Sequence, residues 1–80
     1  MENKIIIKAE NGIHARPAGN IVKLASGFKC DITINGINAK SIMGLMSSGI
    51  SKGDEVIIKT SGVDEEEAMK ALLELLNNLD

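Results

Sequence analysis

The sequence predicts a two-layer sandwich in which helices pack on one face of a single sheet, in the split pattern of small α+β domains. Three observations predict it. Short segments rich in β-branched residues, bounded by turn residues, read as four strands. Between and after them the apolar spacing changes to the three- and four-residue steps of a helix. The resulting order, β-α-β-β-α-β-α, is that of a two-layer domain built around one core.

Each element has its own local reason. Residues 4–9 (Lys-Ile-Ile-Ile-Lys-Ala) read as a strand with β-branched residues on both faces. The next element is a helix over residues 15–26. Ala18, Ile21, Val22 and Ala25 recur at i, i+3, i+4 and i+7, Pro17 suits the first turn, and Gly27 is a good residue just past the end. Gly19 is a weakness in that helix, costing up to about 1 kcal/mol against alanine. Residues 31–40 hold the clearest turn. Asn35-Gly36 tolerates the positive φ of a two-residue type I′ hairpin, which sets Ile34 opposite Ile37, Thr33 opposite Asn38 and Ile32 opposite Ala39. Ser41 is an N-cap candidate and Gly49 a stop, so residues 42–47 read as one or two helical turns. Lys52-Gly53-Asp54 is a turn and residues 55–60 are a strand. Asp64 and Glu67 resemble a capping box. After them Ala68, Leu72, Leu75, Leu76 and Leu79 form the stripe of a last helix.

Composition narrows the function. Eighty residues make one domain, 1–80, near the small end of what folds alone. A single cysteine excludes an internal disulfide and any CxxC site. With one histidine and one cysteine, no metal centre is expected. A net charge of −2, no basic run and one aromatic residue, Phe28, argue against direct contact with nucleic acid. Residues 1–7 run straight into a strand-like triplet, too short for a signal segment or a membrane span, so a cytoplasmic protein without membrane insertion is expected.

Chemistry concentrates in Gly12-Ile13-His14-Ala15-Arg16-Pro17-Ala18. His14, the only histidine, stands where a loop becomes a helix. A protonated imidazole at the positive end of a helix costs about 0.3–1 kcal/mol, because cations belong at the other end. The same placement favours the neutral ring, whose lone pair a nucleophile needs. Arg16 disfavours imidazolium further and offers a two-pronged donor to phosphate oxygens. The first amides of the helix have no intrahelical partner and welcome an anion. Nothing else completes a catalytic set around His14, so it is expected to receive and surrender a group rather than catalyse transfer alone. The competing reading is a surface histidine with no role.

Gly-Ile-His-Ala-Arg-Pro-Ala at 12–18 and Lys-Ser-Ile-Met-Gly-Leu-Met-Ser at 40–47 together resemble HPr, the histidine-containing phosphocarrier family of the bacterial phosphoenolpyruvate-dependent sugar phosphotransferase system. The resemblance covers nearly the whole chain. It implies an open-faced β-sandwich, with a four-stranded antiparallel sheet, three helices on one face and the middle helix short. It implies a carrier that is not itself an enzyme and needs no cofactor. His14 would be phosphorylated on Nδ1 by enzyme I, using phosphoenolpyruvate, and would pass the group to a sugar-specific enzyme IIA. Arg16 falls on the family's active-site arginine, and the backbone of Ala15, Arg16 and Pro17 would cradle the phosphoryl group. The chain is expected to act as a monomer. It departs from the family in a tighter 31–40 hairpin, and in Asn11 where many relatives have serine or aspartate.

For Ser41 the residues alone favour simple helix capping, worth about 1 kcal/mol. The resemblance places it on the regulatory serine that HPr kinase/phosphorylase modifies in many Gram-positive bacteria. A dianion at a helix start is tolerated by the fold, so its effect would fall on docking. Ile42, Met43 and Met46 are the candidates for an exposed docking patch, whereas Leu45 and Ile50 are expected in the core. A phosphate there would impede an acidic partner and recruit a basic one, by resemblance a catabolite-control transcription regulator. Two other functions compete with the carrier: a regulatory module acting mainly through phospho-Ser41, and an anion-binding domain without covalent chemistry.

Overall fold

The computed structural model describes residues 1–8 and 15–78. Its elements, in chain order, are β1 (Glu2–Ile6), α1 (Ala15–Ala25), β2 (Asp31–Ile34), β3 (Ile37–Asn38), α2 (Ile42–Met46), β4 (Glu55–Ser61) and α3 (Glu65–Asn77). All four strands form one antiparallel sheet in the order β1-β4-β2-β3. The last strand in sequence therefore lies between the first and the second. Helices cover one face only, giving the open-faced α+β sandwich that the resemblance implied.

β4 shows why the layers form. Val56, Ile58 and Thr60 are buried while Glu55, Ile57, Lys59 and Ser61 are exposed, the period of two that sends alternate side chains to opposite faces. The inner face continues in Ile32 and Ile34 of β2 and in Ile7. Against it lie Ala18, Ile21 and Ala25 of α1, Leu45 of α2, and Ala68, Met69, Leu72 and Leu76 of α3. The buried Thr60 hydroxyl donates to the Glu65 carbonyl at 3.0 Å, which satisfies it at the start of α3. The outer face is solvated. Lys4 pairs with Glu55 at 3.2 Å and Lys59 with Glu2 at 3.7 Å; exposed pairs of this kind contribute about 0–1 kcal/mol.

The hairpin matches its sequence reading. Asn35 and Gly36 have φ of 52° and 79°, and Ile34 faces Ile37 as Thr33 faces Asn38. The Ala39 amide donates to the Ile32 carbonyl at 3.0 Å, extending that register by one pair. Asn35 adds a role the turn alone does not require, because its Oδ1 accepts from the Ile57 amide at 2.8 Å and ties the hairpin to β4.

Four details differ from the sequence reading. The first strand starts at Glu2 rather than Lys4 and its regular ladder ends at Ile6, while Ala9 of the expected strand lies outside the described residues. Ile7 lies past its end, yet its amide donates to Asp54 at 2.9 Å and its carbonyl accepts from Gly53 at 2.8 Å, so pairing runs one step beyond the regular ladder. Helix α1 ends at Ala25, and Gly27 does not supply a left-handed residue there. The chain instead tightens, with the Gly27 amide donating to Leu24 and the Phe28 amide to Ala25, both at 3.1 Å. Helix α2 ends in a turn at Ser47, before Gly49 is reached. The fourth difference is at Asp64, which precedes α3 but makes no side-chain cap. Its carboxylate accepts instead from the amides of Lys29 at 2.8 Å and Cys30 at 2.9 Å. Buried Met69 joins the apolar stripe of α3, and Leu79 lies outside the described residues.

Candidate functional site

Helix α1 begins at Ala15, so position 14 immediately precedes it in the chain. His14 itself, with the side chain of Ala15, lies outside the described residues. What is described is the frame around that position. Arg16 is exposed in the first turn of α1, and Pro17 and Ala18 behind it are buried, which anchors the turn to the core. No acidic residue stands in that first turn, so nothing in α1 itself neutralises its positive end. Asn20 and Lys23 are exposed at four and seven positions after Arg16 and extend a polar, cationic line along the helix. A helical wheel reveals that line; the motif alone does not.

Helix α2, which carries the second motif, packs against α1. Ser41 caps α2, its Oγ accepting from the Gly44 amide at 3.2 Å and its carbonyl from the Leu45 amide at 3.1 Å. Exposure divides the α2 region sharply. Ile42 is 42% exposed, Met43 71% and Met46 48%, whereas Leu45 and Ile50 are buried. Three apolar side chains at the surface of a five-residue helix form a patch, and two of them are adaptable methionines. Replacing Ser41 by alanine removes the cap, and is expected to lower stability by about 1 kcal/mol in a denaturation experiment.

The loop joining α1 to β2 is held by two charged side chains that local sequence patterns do not reveal. Lys40 Nζ donates to the Phe28 carbonyl at 2.9 Å, and Asp64 holds the next two amides. Asp64 is kept below the ordinary carboxylate range chiefly by the Lys29 amide, with Cys30 adding its thiol and its own amide. The Cys30 thiol is pushed up, first by burial and then by its bond to that carboxylate. It is therefore an inert packing group rather than a nucleophile. Among the described residues no three of His, Cys, Asp and Glu are grouped to hold a metal, and no helix is long and apolar enough to cross a membrane.

An antiparallel β1-β4-β2-β3 sheet, three helices on one face, and a His-Ala-Arg-Pro motif at the start of α1 beside an apolar α2 define a class of small phosphoryl carriers. Comparison with known proteins agrees. Residues 1–78 match the family described as the PTS HPr component phosphorylation site. The fold superposes on an HPr of Thermoanaerobacter tengcongensis with a TM-score of 0.90 at 47% identity, covering 96% of this chain and 91% of that one. The phosphocarrier protein HPr of Bacillus anthracis gives 0.88 at 41% identity, covering 95% of each chain. Crh, a catabolite-repression protein of Bacillus subtilis described as a swapped dimer, gives 0.79 at 36% identity, covering 98% and 94%. The chain belongs to the HPr family of phosphocarriers of the phosphotransferase system.

Proposed function

We propose that His14 carries the phosphoryl group. The Nδ1 lone pair attacks the phosphorus of phosphorylated enzyme I. A P–N bond forms as the bond to the donor breaks, and the reverse step on an enzyme IIA hands the group on. Charge in such a transfer spreads over the three oxygens that are neither attacking nor leaving. The Arg16 guanidinium and the first amides of α1, which a helix leaves without intrahelical partners, stabilise that charge. Ala15, Arg16 and Pro17 supply the cradle. The observation that carries this reading is the exposed Arg16 on a buried, proline-anchored first turn, directly after the only histidine. The carrier works in the cytoplasm, where its partners meet it.

The test is incubation of the chain with enzyme I and phosphoenolpyruvate, followed by intact-mass analysis. One phosphoryl group should be gained and then lost in mild acid, and His14→Ala should remain unlabelled. Absence of label, or label on His14→Ala, refutes the carrier.

A second reading has its own support. Ser41 stands at the edge of the exposed Ile42, Met43 and Met46 patch, and the chain resembles a catabolite-repression protein. In this reading HPr kinase/phosphorylase phosphorylates Ser41, and the dianion turns the patch away from acidic partners and toward a catabolite-control transcription regulator. Phosphoserine survives mild acid, so phosphosite analysis of protein from growing cells separates the two marks. Unchanged growth on a transported sugar with His14→Ala as the only copy would favour the regulatory module over the carrier.

A further inference from the structure

Helices α1 and α3 pack together and leave an open cleft of about 820 Å³ between them. Its described walls come from α1, the loop after it and α3, and none from α2. Leu24, Phe28 and Leu75 are half-buried against the core and give the cleft an apolar floor. Ala71 faces the same space with little side chain, which keeps it open. Charge sits at the rim. Lys23 on α1 and Glu74 on α3 are both exposed. Neither side chain makes a hydrogen bond or ion pair among the described residues. One cation and one anion, both unused by the fold, therefore border a single apolar hollow.

We propose that the α1–α3 cleft binds a free α-amino acid with a large aliphatic or aromatic side chain. The size lies in the range of small-ligand sites, about 300–1,000 Å³. The two charges choose the ligand. An apolar carboxylate would meet Lys23 but leave Glu74 facing a like charge, and an apolar amine would do the reverse. A zwitterion satisfies both: its carboxylate pairs with Lys23, its ammonium with Glu74, and its side chain lies on Leu24, Phe28 and Leu75. The proposal is independent of the carrier reading, because no phosphoryl group takes part in it.

The experiment titrates the full, isotope-labelled chain with L-phenylalanine and follows its amide resonances. Saturable shifts should appear around Leu24, Phe28 and Leu75, with a Kd of about 1–10 mM. Phenylethylamine and 3-phenylpropionate, which lack the carboxylate and the ammonium respectively, should each bind about two- to fivefold more weakly, the worth of one exposed ion pair. Glu74→Gln should weaken L-phenylalanine by the same factor without weakening 3-phenylpropionate. Lys23→Gln should weaken L-phenylalanine without weakening phenylethylamine. Ala71→Met should fill the cleft and abolish binding of all three. Should Ala71→Met fail to fold, the two glutamine variants decide, since both sites are at the surface. The proposal is overturned if no saturable shift appears up to about 20 mM, if 3-phenylpropionate binds as tightly as the amino acid, or if neither glutamine variant changes the affinity. It is also overturned if the shifts at these residues follow protein concentration and ignore the amino acid, since a second copy of the chain then covers the cleft.

Discussion

Gly62→Ala is expected to lower the melting temperature by about 10–25 °C, because among the described glycines a Cβ at this one meets the closest neighbours. Gly62 directly follows β4, and its φ is 150°. A Cβ there would stand 2.7 Å from both the α- and β-carbons of Cys30. One of those atoms is backbone, so no rotamer change relieves the clash. The strands themselves must part where Asp31 pairs with Ser61, next to the amides that Asp64 holds. Overpacking of this kind costs about 1–3 kcal/mol and the φ adds about 1–3 more, together about 2–6 kcal/mol. Small domains have only about 5–15 kcal/mol in all. Cys30→Ala does not rescue the variant, because the clash with the backbone of residue 30 remains. A melting temperature within about 2 °C of the parent, the shift expected for a change of a few tenths of a kcal/mol, would show that these two segments approach less closely than 2.7 Å implies.

Cys30 and Gly62 also illustrate what local pattern can and cannot reveal. The hairpin at Asn35-Gly36 is legible because turn chemistry and period-two alternation act over neighbouring residues, and both give one register. The first strand begins at Glu2, three residues before its apolar run. Ile5-Ile6-Ile7 is continuous, and such a run has no period to distinguish inner from outer face. Its partner β4 decides, placing Ile5 opposite Val56 and leaving Ile6 exposed. The apparent capping box at Asp64 misleads for a related reason. The groups that need its carboxylate are 34 and 35 residues away, and no spacing rule reaches that far. The site divides in the same way. His14, Arg16 and Pro17 stand together as neighbours in the sequence, with His14 outside the described residues. The exposure of Met43 and Met46 beside buried Leu45 follows from side-chain type and a short helical pattern.

Asp64→Ala should therefore act where a capping variant would not. A lost cap would fray the first turn of α3; loss of this carboxylate instead releases Lys29 and Cys30 in the loop between α1 and β2. Hydrogen exchange should rise first at those two amides, and the Cys30 thiol should become easier to alkylate as the loop opens. The variant should also change the response to acid. A carboxyl held below its ordinary value in the folded chain stabilises that chain at pH above the unfolded value, near about 4. That contribution fades as pH falls toward the lower folded value, where the proton is taken up in both states. Glu65 follows the same rule, lowered first by its bond to the amino group of Met1 and then by the Gly62 amide. The parent should accordingly lose stability as pH falls from about 5 toward 2, with proton uptake on unfolding. Asp64→Ala should be less stable at pH 7 and should show a shallower decline, by up to about one proton per molecule. Asp64→Asn separates the two contributions, because its amide oxygen still accepts a hydrogen bond but carries no charge. It should protect the Lys29 and Cys30 amides in part while showing the same flattened acid limb. If both variants retain the parent's slope through that range, the carboxylate of Asp64 is not what acid titrates, and the clamp on the α1–β2 loop is weaker than its two short bonds imply.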